Sequence, residues 1–317
     1  MSKQRPYTYR HPSALPDILS TERHLRRSEA VRRLHPLGDL LDLRIVEQAR
    51  PFSLRAFDQI PMHGSNLLQQ AQFLAPALAD KHVAFMGDSD CLSLMIGLLS
   101  RNGRDTPRPA AMHLLDFDER LLSTALDLAA RHGFSELLHT WRYNVFDPIP
   151  TPLAGSCDIF VTNPPYGMYN KGKSARLFIG RAMELITPDH GEGAIILPDD
   201  PTRPWTGQAY RATLGFLNHH GWVVHAQYRA VHKYHLDDDP SLASDLILVG
   251  RTTLHRHVPL KLAGQRVGFM DIPNFYGRST KPPFPRYILR DGTPDFSWDV
   301  NEENIHEWRH PTSGFAA

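Results

Sequence analysis

Cysteine is scarce: the 317 residues hold only Cys91 and Cys157. Two thiols cannot build a disulfide framework, and no C-x-x-C pair is present for a structural metal. The pair fits a reducing, cytoplasmic setting. Net charge is nearly absent too, with 35 Lys and Arg against 34 Asp and Glu, leaving +1. No global field draws the chain to nucleic acid, and the basic run "ERHLRRSEAVRR" (22–33) reads as a solvated helix face. No apolar run approaches the roughly 18 residues of a membrane span, so no membrane role is expected. The opening "MSKQRPYTYRHPSALPD" lacks the apolar core of a secretory signal. The 18 histidines are scattered. His219-His220 and His255/His257 have no third ligand at metal spacing, so no metal is expected. The partners expected are a small-molecule substrate and, at most, a second copy of the chain in a homodimer.

Three zones are present. Residues 1–78 read as a mainly helical extension, because "HPLGDLLDLRIVEQ" and "SNLLQQAQFLAPALAD" carry apolar residues at helical spacing. Residues 79–254 alternate strand and helix patterns and read as the catalytic domain. Residues 255–317, rich in Pro, Gly and aromatics, read as an irregular wrap. In the middle zone "HVAFM", "AMHLLDF", "HTWRYNVF", "CDIFVT" and "GAIILP" are strands separated mostly by helical runs. Two more, "WVVHAQYRAV" and "SDLILVGRT", follow without an intervening helix and imply a hairpin. The expected fold is α/β: a mostly parallel seven-stranded Rossmann-like sheet with an antiparallel C-terminal hairpin. Such sheets bind ligands at the carboxyl ends of their strands, near the switch point in strand order.

Chemistry-bearing residues fall at those ends. "FMGDSD" places Gly87, Asp88 and Asp90 after the first strand. One glycine among carboxylates suits a cationic ligand, an ammonium or a sulfonium, better than a pyrophosphate. Asp90 either caps the next helix or meets that ligand. Asp88 reads as a ligand residue. "LLDFDERL" places Asp116, Phe117 and Asp118 after the second strand. A carboxylate there typically takes the ribose hydroxyls of a nucleoside, with Asp116 first, Asp118 second, and one of the two free to cap the helix. "RYNVFDP" offers Asn144 for an adenine edge, or as part of a polar loop. "LPDDP" offers Asp199 and Asp200 for a cationic acceptor, or again only a loop. "HLDDDPSLASD" (235–245) reads as an exposed, solvated tip between the last two strands.

Two signatures overlap in "VTNPPYGMYNKGKSARLF". Gly167 to Ser174 spells G-x-x-x-x-G-K-S, the phosphate-loop pattern, and Asp199 would be its distal carboxylate. Against that pattern, Asn163-Pro164-Pro165-Tyr166 separates it from the strand, and two prolines remove backbone donors. The tetrapeptide has its own logic. A nitrogen nucleophile attacking a sulfonium carbon must aim its lone pair at that carbon. Its N–H groups are then held by the Asn163 side-chain oxygen and the Pro164 carbonyl. Tyr166 offers an aromatic face to the cation. Positioning of this kind supplies most of the expected catalysis.

With "FDQIP" (57–61), "FMGDSD", "LLDFDERL", "RYNVFDPIP" and "DIFVTNPPYG…ARLFIGRAMELI", the chain resembles the branched-chain polyamine synthases, the N4-bis(aminopropyl)spermidine synthase group. The resemblance covers roughly residues 57–190 and implies a class I S-adenosylmethionine (SAM) methyltransferase-like fold. It implies transfer of an aminopropyl group from decarboxylated SAM onto an amine, by attack at the Cγ bonded to the sulfonium sulfur, and release of methylthioadenosine. By the same resemblance Asp88 and Asp90 lie near the reacting amine, Asp116 on the ribose, and Asn163 to Tyr166 beside the nucleophile. The family usually has Asp where this chain has Ser89, Asn144 and Asn163. Losing three carboxylates fits an acceptor less cationic than a polyamine, and it admits ordinary SAM. Attack by SAM's own α-amino group would close azetidine-2-carboxylate, as in the known azetidine-2-carboxylate synthases, with Asp88 orienting or deprotonating the amine. The alternatives are an amine N-methyltransferase releasing S-adenosylhomocysteine and a SAM-fold binding module without turnover. Tyr7, Tyr9 and Phe57 read as parts of a water-excluding lid.

Overall fold

In the computed structural model the residues described are 37–54, 57–101, 105–188, 190–236, 241–252, 260–261, 263–268, 271–272, 274–276 and 305–306. The basic run 22–33, Tyr7, Tyr9 and the pair His255/His257 lie outside them. The chain divides into compact units at Leu41/Asp42, not at residue 78. Residues 42–78 therefore belong to the same unit as the sheet.

Seven strands form the sheet: β1 (His82–Met86), β2 (Ala111–Asp116), β3 (Leu138–Arg142), β4 (Ile159–Thr162), β5 (Glu192–Pro198), β6 (Trp222–Lys233) and β7 (Ala243–Arg251). Their order is β3-β2-β1-β4-β5-β7-β6. All pairs are parallel except those of β7, which runs antiparallel to β5 and β6. This is the class I methyltransferase-like α/β arrangement. Strand order reverses between β1 and β4, and their carboxyl ends open the crevice where such folds bind ligands. A separate two-residue ladder pairs Ser53–Leu54 with Ile305–His306.

Among the described residues six helices are present: α1 (Leu37–Ala49), α2 (Gly64–Leu78), α3 (Leu92–Leu99), α4 (Glu119–His132), α5 (Lys173–Glu184) and α6 (Pro204–His219). α2, α3 and α4 pack side by side on one face, and α5 and α6 on the other. α3 is apolar all round and wholly buried, as an eight-residue helix between a sheet and two neighbours must be. α4 is amphipathic, starts at the Asp118 cap and stops at Gly133, whose φ of 74° is left-handed. No helix among the described residues is long and apolar enough to cross a membrane.

Two expectations change. The third strand stops at Arg142 rather than running to Phe146, because Asn144 folds its side-chain oxygen onto the Phe146 N–H (3.1 Å) and turns the chain. The segment 235–245 is not wholly a solvated tip. Leu236 and Leu242 are buried, and Asp245 is fully buried, accepting from the Ala230 N–H (2.7 Å) and Gln227 Nε2 (2.6 Å).

Gly87 closes β1 at φ 68°, and its N–H donates to the Leu115 carbonyl (2.9 Å). A Cβ here would come within 2.9 Å of the Phe178 ring, on backbone that L-residues avoid. Gly87→Ala should lower unfolding free energy by about 1–3 kcal/mol in a denaturant titration, an unchanged midpoint being the contrary result.

Candidate functional site

β4 ends at Thr162, whose hydroxyl donates to the Met86 carbonyl (2.8 Å) and ties the ends of β1 and β4 together. The chain leaves this knot as Asn163-Pro164-Pro165-Tyr166. Asn163 Nδ2 donates to Asp90 Oδ2 (2.7 Å). Asp90 is itself pinned: its Oδ1 accepts the Met62 N–H (2.6 Å) and its carbonyl accepts an Arg50 N–H (2.6 Å). An ionised carboxylate only accepts, so Asn163 must turn its NH2 to Asp90. Its oxygen is thereby left for the Tyr166 hydroxyl, which donates to it at 3.2 Å, and for the adjoining cavity. That cavity is about 30 Å³ and is bordered by Asp58, Ser89, Asn163, Tyr166, Tyr234 and Leu242. That is room for one or two waters, so a nucleoside must part its walls. Burial pushes the Asp90 carboxyl up, against the opposing pull of Arg50 and Asn163.

Asp88 and Asp90 divide the two roles read at this turn. Asp88, not Asp90, caps α3: its oxygens accept the N–H groups of Leu92 (2.8 Å) and Ser93 (2.9 Å). Cys91, between Asp90 and the first residue of α3, is in a left-handed conformation (φ 61°), and Asp90 lies off the helix, against Asn163. The amine-orienting role read for Asp88 does not fit a carboxylate facing helix N–H groups. Asp90 is the one that touches Asn163.

At the next strand end Asp118 caps α4 through the Arg120 N–H (3.0 Å), and also accepts from the Arg120 guanidinium and Gln59 Nε2 (3.0 Å). Asp116 accepts two backbone N–H groups, from Asp88 (3.1 Å) and Asp118 (2.9 Å). Burial, with the Asp118 charge next, raises Asp116 to about 7, and burial raises Asp88 to about 7. Phe117 packs its ring 4.8 Å from Phe57 and 6.0 Å from Tyr276. Phe57 is thus a wall of this aromatic group. Asn144 sits in the turn after β3, its amide nitrogen without a partner among the described residues.

The phosphate-loop pattern does not form a phosphate site. Asn170 Oδ1 accepts the Lys173 and Ser174 N–H groups (2.9 and 3.3 Å), the first donors of α5. The Ser174 hydroxyl is buried and donates to the Phe275 carbonyl (2.6 Å). The backbone donors and the hydroxyl that a phosphate and its metal would need are spent internally. Asp199 and Asp200 are likewise engaged, by Arg229 and Arg203, so neither is an open carboxylate for a cationic acceptor. No group of three or more His, Cys, Asp or Glu among the described residues is arranged to hold a metal.

Several site residues escape sequence reasoning. Arg50, Tyr234 and Tyr276 belong to no motif. Arg50 follows α1 and reaches 40 residues ahead to Asp90. Tyr234 follows β6, and its hydroxyl lies 2.6 Å from that of Tyr166. Only their contacts in the folded chain mark them.

The profile of the branched-chain polyamine synthase A C-terminal domain matches residues 40–205, just over half of the chain. The chain belongs to the branched-chain polyamine synthase family. Among solved structures it is similar to the branched-chain polyamine synthase of Thermus thermophilus in complex with N4-aminopropylspermidine and 5'-methylthioadenosine. That match has a TM-score of 0.59 and 19% identity, over 73% of this chain and 67% of that one. The C9 mutein of the same synthase gives 0.59 and 18% over 73% and 66%. At these identities the likeness speaks for the fold. An uncharacterized protein of Methanocaldococcus jannaschii is 27% identical over 109 residues, 34% of this chain and 25% of that protein. This member of the family thus spans a quarter of that relative and about two thirds of the synthase.

Proposed function

We propose that this polyamine synthase relative transfers an aminopropyl-type group from a SAM-type sulfonium to a small amine and releases methylthioadenosine. The amine lone pair forms the new N–C bond, the C–S bond breaks with its electron pair staying on sulfur, and one proton leaves the amine. The reading is carried by the Asp90–Asn163–Tyr166 network, which turns the Asn163 oxygen toward the cavity at the switch point. Asn163 and the Pro164 carbonyl hold the amine N–H groups, and Tyr166 flanks the cation. Asp90 is a positioning residue. Asp116 holds the ribose, Phe117 and Asn144 border the adenine, and Gly87 lets the chain turn beside the donor. Asp88 and Asp118 keep their turns in place.

The acceptor carries fewer charges than a branched polyamine precursor. Ser89, Asn144 and Asn163 are neutral where the family usually has carboxylates, and arginines neutralise Asp199 and Asp200. The same neutrality favours a second reading, closure of SAM on its own α-amino group to azetidine-2-carboxylate.

The test is to incubate the pure protein with SAM alone, and with decarboxylated SAM plus a mono- or diamine, then weigh the nucleoside product. Enzyme-dependent methylthioadenosine with the amine adduct is expected in the second tube. Methylthioadenosine with azetidine-2-carboxylate from SAM alone would replace the first reading by the second. S-adenosylhomocysteine would mean methyl transfer, and no nucleoside product would mean neither.

Donor binding should depend on pH through Asp116. The ribose hydroxyls donate, so they favour the ionised carboxylate. A group titrating near 7 is mostly protonated at pH 6 and mostly ionised at pH 8. Methylthioadenosine should bind about tenfold tighter at pH 8 than at pH 6, and Asp116→Asn should flatten that dependence. For the free protein the sign is opposite. A carboxyl raised on folding adds stability below its unfolded value, and that contribution is lost as pH climbs toward 7.

A further inference from the structure

Behind Tyr166 runs a line of buried hydroxyls. Tyr166 Oη lies 2.6 Å from Tyr234 Oη, Tyr234 Oη 2.6 Å from Ser244 Oγ, and Ser244 Oγ 3.4 Å from His232 Nδ1. Tyr234, Ser244 and His232 are 4%, 0% and 2% exposed. The sheet holds them in place. His232 and Ser244 face each other in the β6–β7 register, just past an irregularity between Tyr228 and His232. Tyr234 is bridged to Met62, and the Pro61 carbonyl and His63 N–H bond the residues on either side of it. The segment that presents Met62 to Asp90 is thus the one that fixes Tyr234.

Each hydroxyl has one hydrogen, so the line has only two internally consistent directions. With His232 protonated at Nε2, every hydroxyl donates toward His232, Tyr166 gives up its bond to Asn163, and the Tyr166 oxygen is open to a proton from the cavity. With His232 protonated at Nδ1, every hydroxyl donates away from it, and Tyr166 donates to Asn163.

We infer that Tyr234, Ser244 and His232 form a proton relay that takes the acceptor amine's proton away through Tyr166. The inference rests on the amine alkylation proposed above. That reaction leaves one proton too many on nitrogen, and the carboxylates at the site are engaged: Asp90 by Met62 and Asn163, Asp88 by the start of α3, and Asp58, at the cavity wall, by a partner of its own. Amide oxygens accept hydrogen bonds but hold no proton at neutral pH. In the relay the amine N–H bond breaks as a Tyr166 O–H forms. The original Tyr166 hydrogen passes to Tyr234, that of Tyr234 to Ser244, and that of Ser244 to His232 Nδ1. His232 gives its Nε2 hydrogen to water. One proton leaves, no side chain changes charge, and the line now points toward Asn163, to be reset by rotation of the hydroxyls and return to the Nε2 tautomer. Burial pulls His232 down to about 3, which suits a group that passes a proton on instead of storing it.

The test is a proton inventory, kcat measured across H2O–D2O mixtures, on the wild-type chain, Tyr234→Phe and Ser244→Ala. Thermal melts of all three would identify a variant that fails to fold; two positions keep the test usable if one does. The wild type should give a curved inventory, reporting more than one proton in flight. Each folded variant should lose kcat by about 10²-fold with donor KM unchanged and a straight inventory. A folded variant that keeps kcat within about threefold, or loses it with the curvature intact, overturns the relay. So does a wild type with no solvent isotope effect. Wild-type release of methylthioadenosine is scored separately: its absence sinks the proposed function, whereas its presence with unaffected variants sinks only the relay.

Discussion

Asn163→Leu should abolish turnover, lowering kcat on the order of 10³-fold, while the chain still folds. Leucine keeps the branching of asparagine, though it is bulkier, and offers the amine no acceptor. The nucleophile would keep its place in the cavity and lose the contact that aims its lone pair. Two bonds vanish with the amide, to Asp90 Oδ2 (2.7 Å) and from Tyr166 Oη (3.2 Å). The buried Asp90 then keeps only the Met62 N–H and the Arg50 charge, a loss of about 1–3 kcal/mol. The rest of the knot is independent of Asn163, because Thr162 holds Met86 and Asp88 caps α3. Methylthioadenosine affinity should therefore stay within a few fold, since Asp116 lies at another strand end. Single-turnover formation of methylthioadenosine, measured beside that affinity, separates the two effects. A variant that turns over within tenfold of the wild type would show that Asn163 does not hold the amine.

Much of this arrangement is legible in the chain itself. The apolar runs "HVAFM" and "CDIFVT" and their spacing specify buried parallel strands, and the signal residues fall where those strands end. Function at strand ends is a local property: a strand, a turn and two or three polar residues are contiguous. What sequence reasoning misses is assembled from afar. Which of Asp88 and Asp90 caps α3 depends on the left-handed backbone at Cys91, a conformation no propensity assigns to cysteine. The fate of Asp199 depends on Arg229, thirty residues on and two strands away, across β7 on the edge strand β6. Gly167 to Ser174 matches a phosphate loop letter for letter, yet Asn170, a position that pattern leaves open, consumes the donors. Patterns record which residues are required and are blind to a neighbour that occupies them.

Asp90→Asn tests the orientation of Asn163 directly. The substitution preserves size and keeps one acceptor oxygen. If that oxygen stays on the Met62 N–H, the new NH2 faces the NH2 of Asn163, donor against donor. The repulsion is relieved by turning the Asn163 amide over. Its NH2 then points at Tyr166 and the cavity, where the acceptor's own N–H groups must go. Catalysis should fall about 10²-fold, whereas stability should fall by only about 1 kcal/mol, because a buried carboxylate raised by its surroundings has been removed at the same time. The reversed pair, Asp90→Asn with Asn163→Asp, restores a donor facing an acceptor and puts an acceptor back at the cavity. The double variant should be more stable than the sum of its singles predicts, by about 0.5–3 kcal/mol in a double-mutant cycle. It should also recover part of the lost kcat. If Asp90→Asn alone works as well as the wild type, Asp90 does not set the direction of Asn163, and the oxygen must be aimed by Tyr166 and the line of hydroxyls behind it.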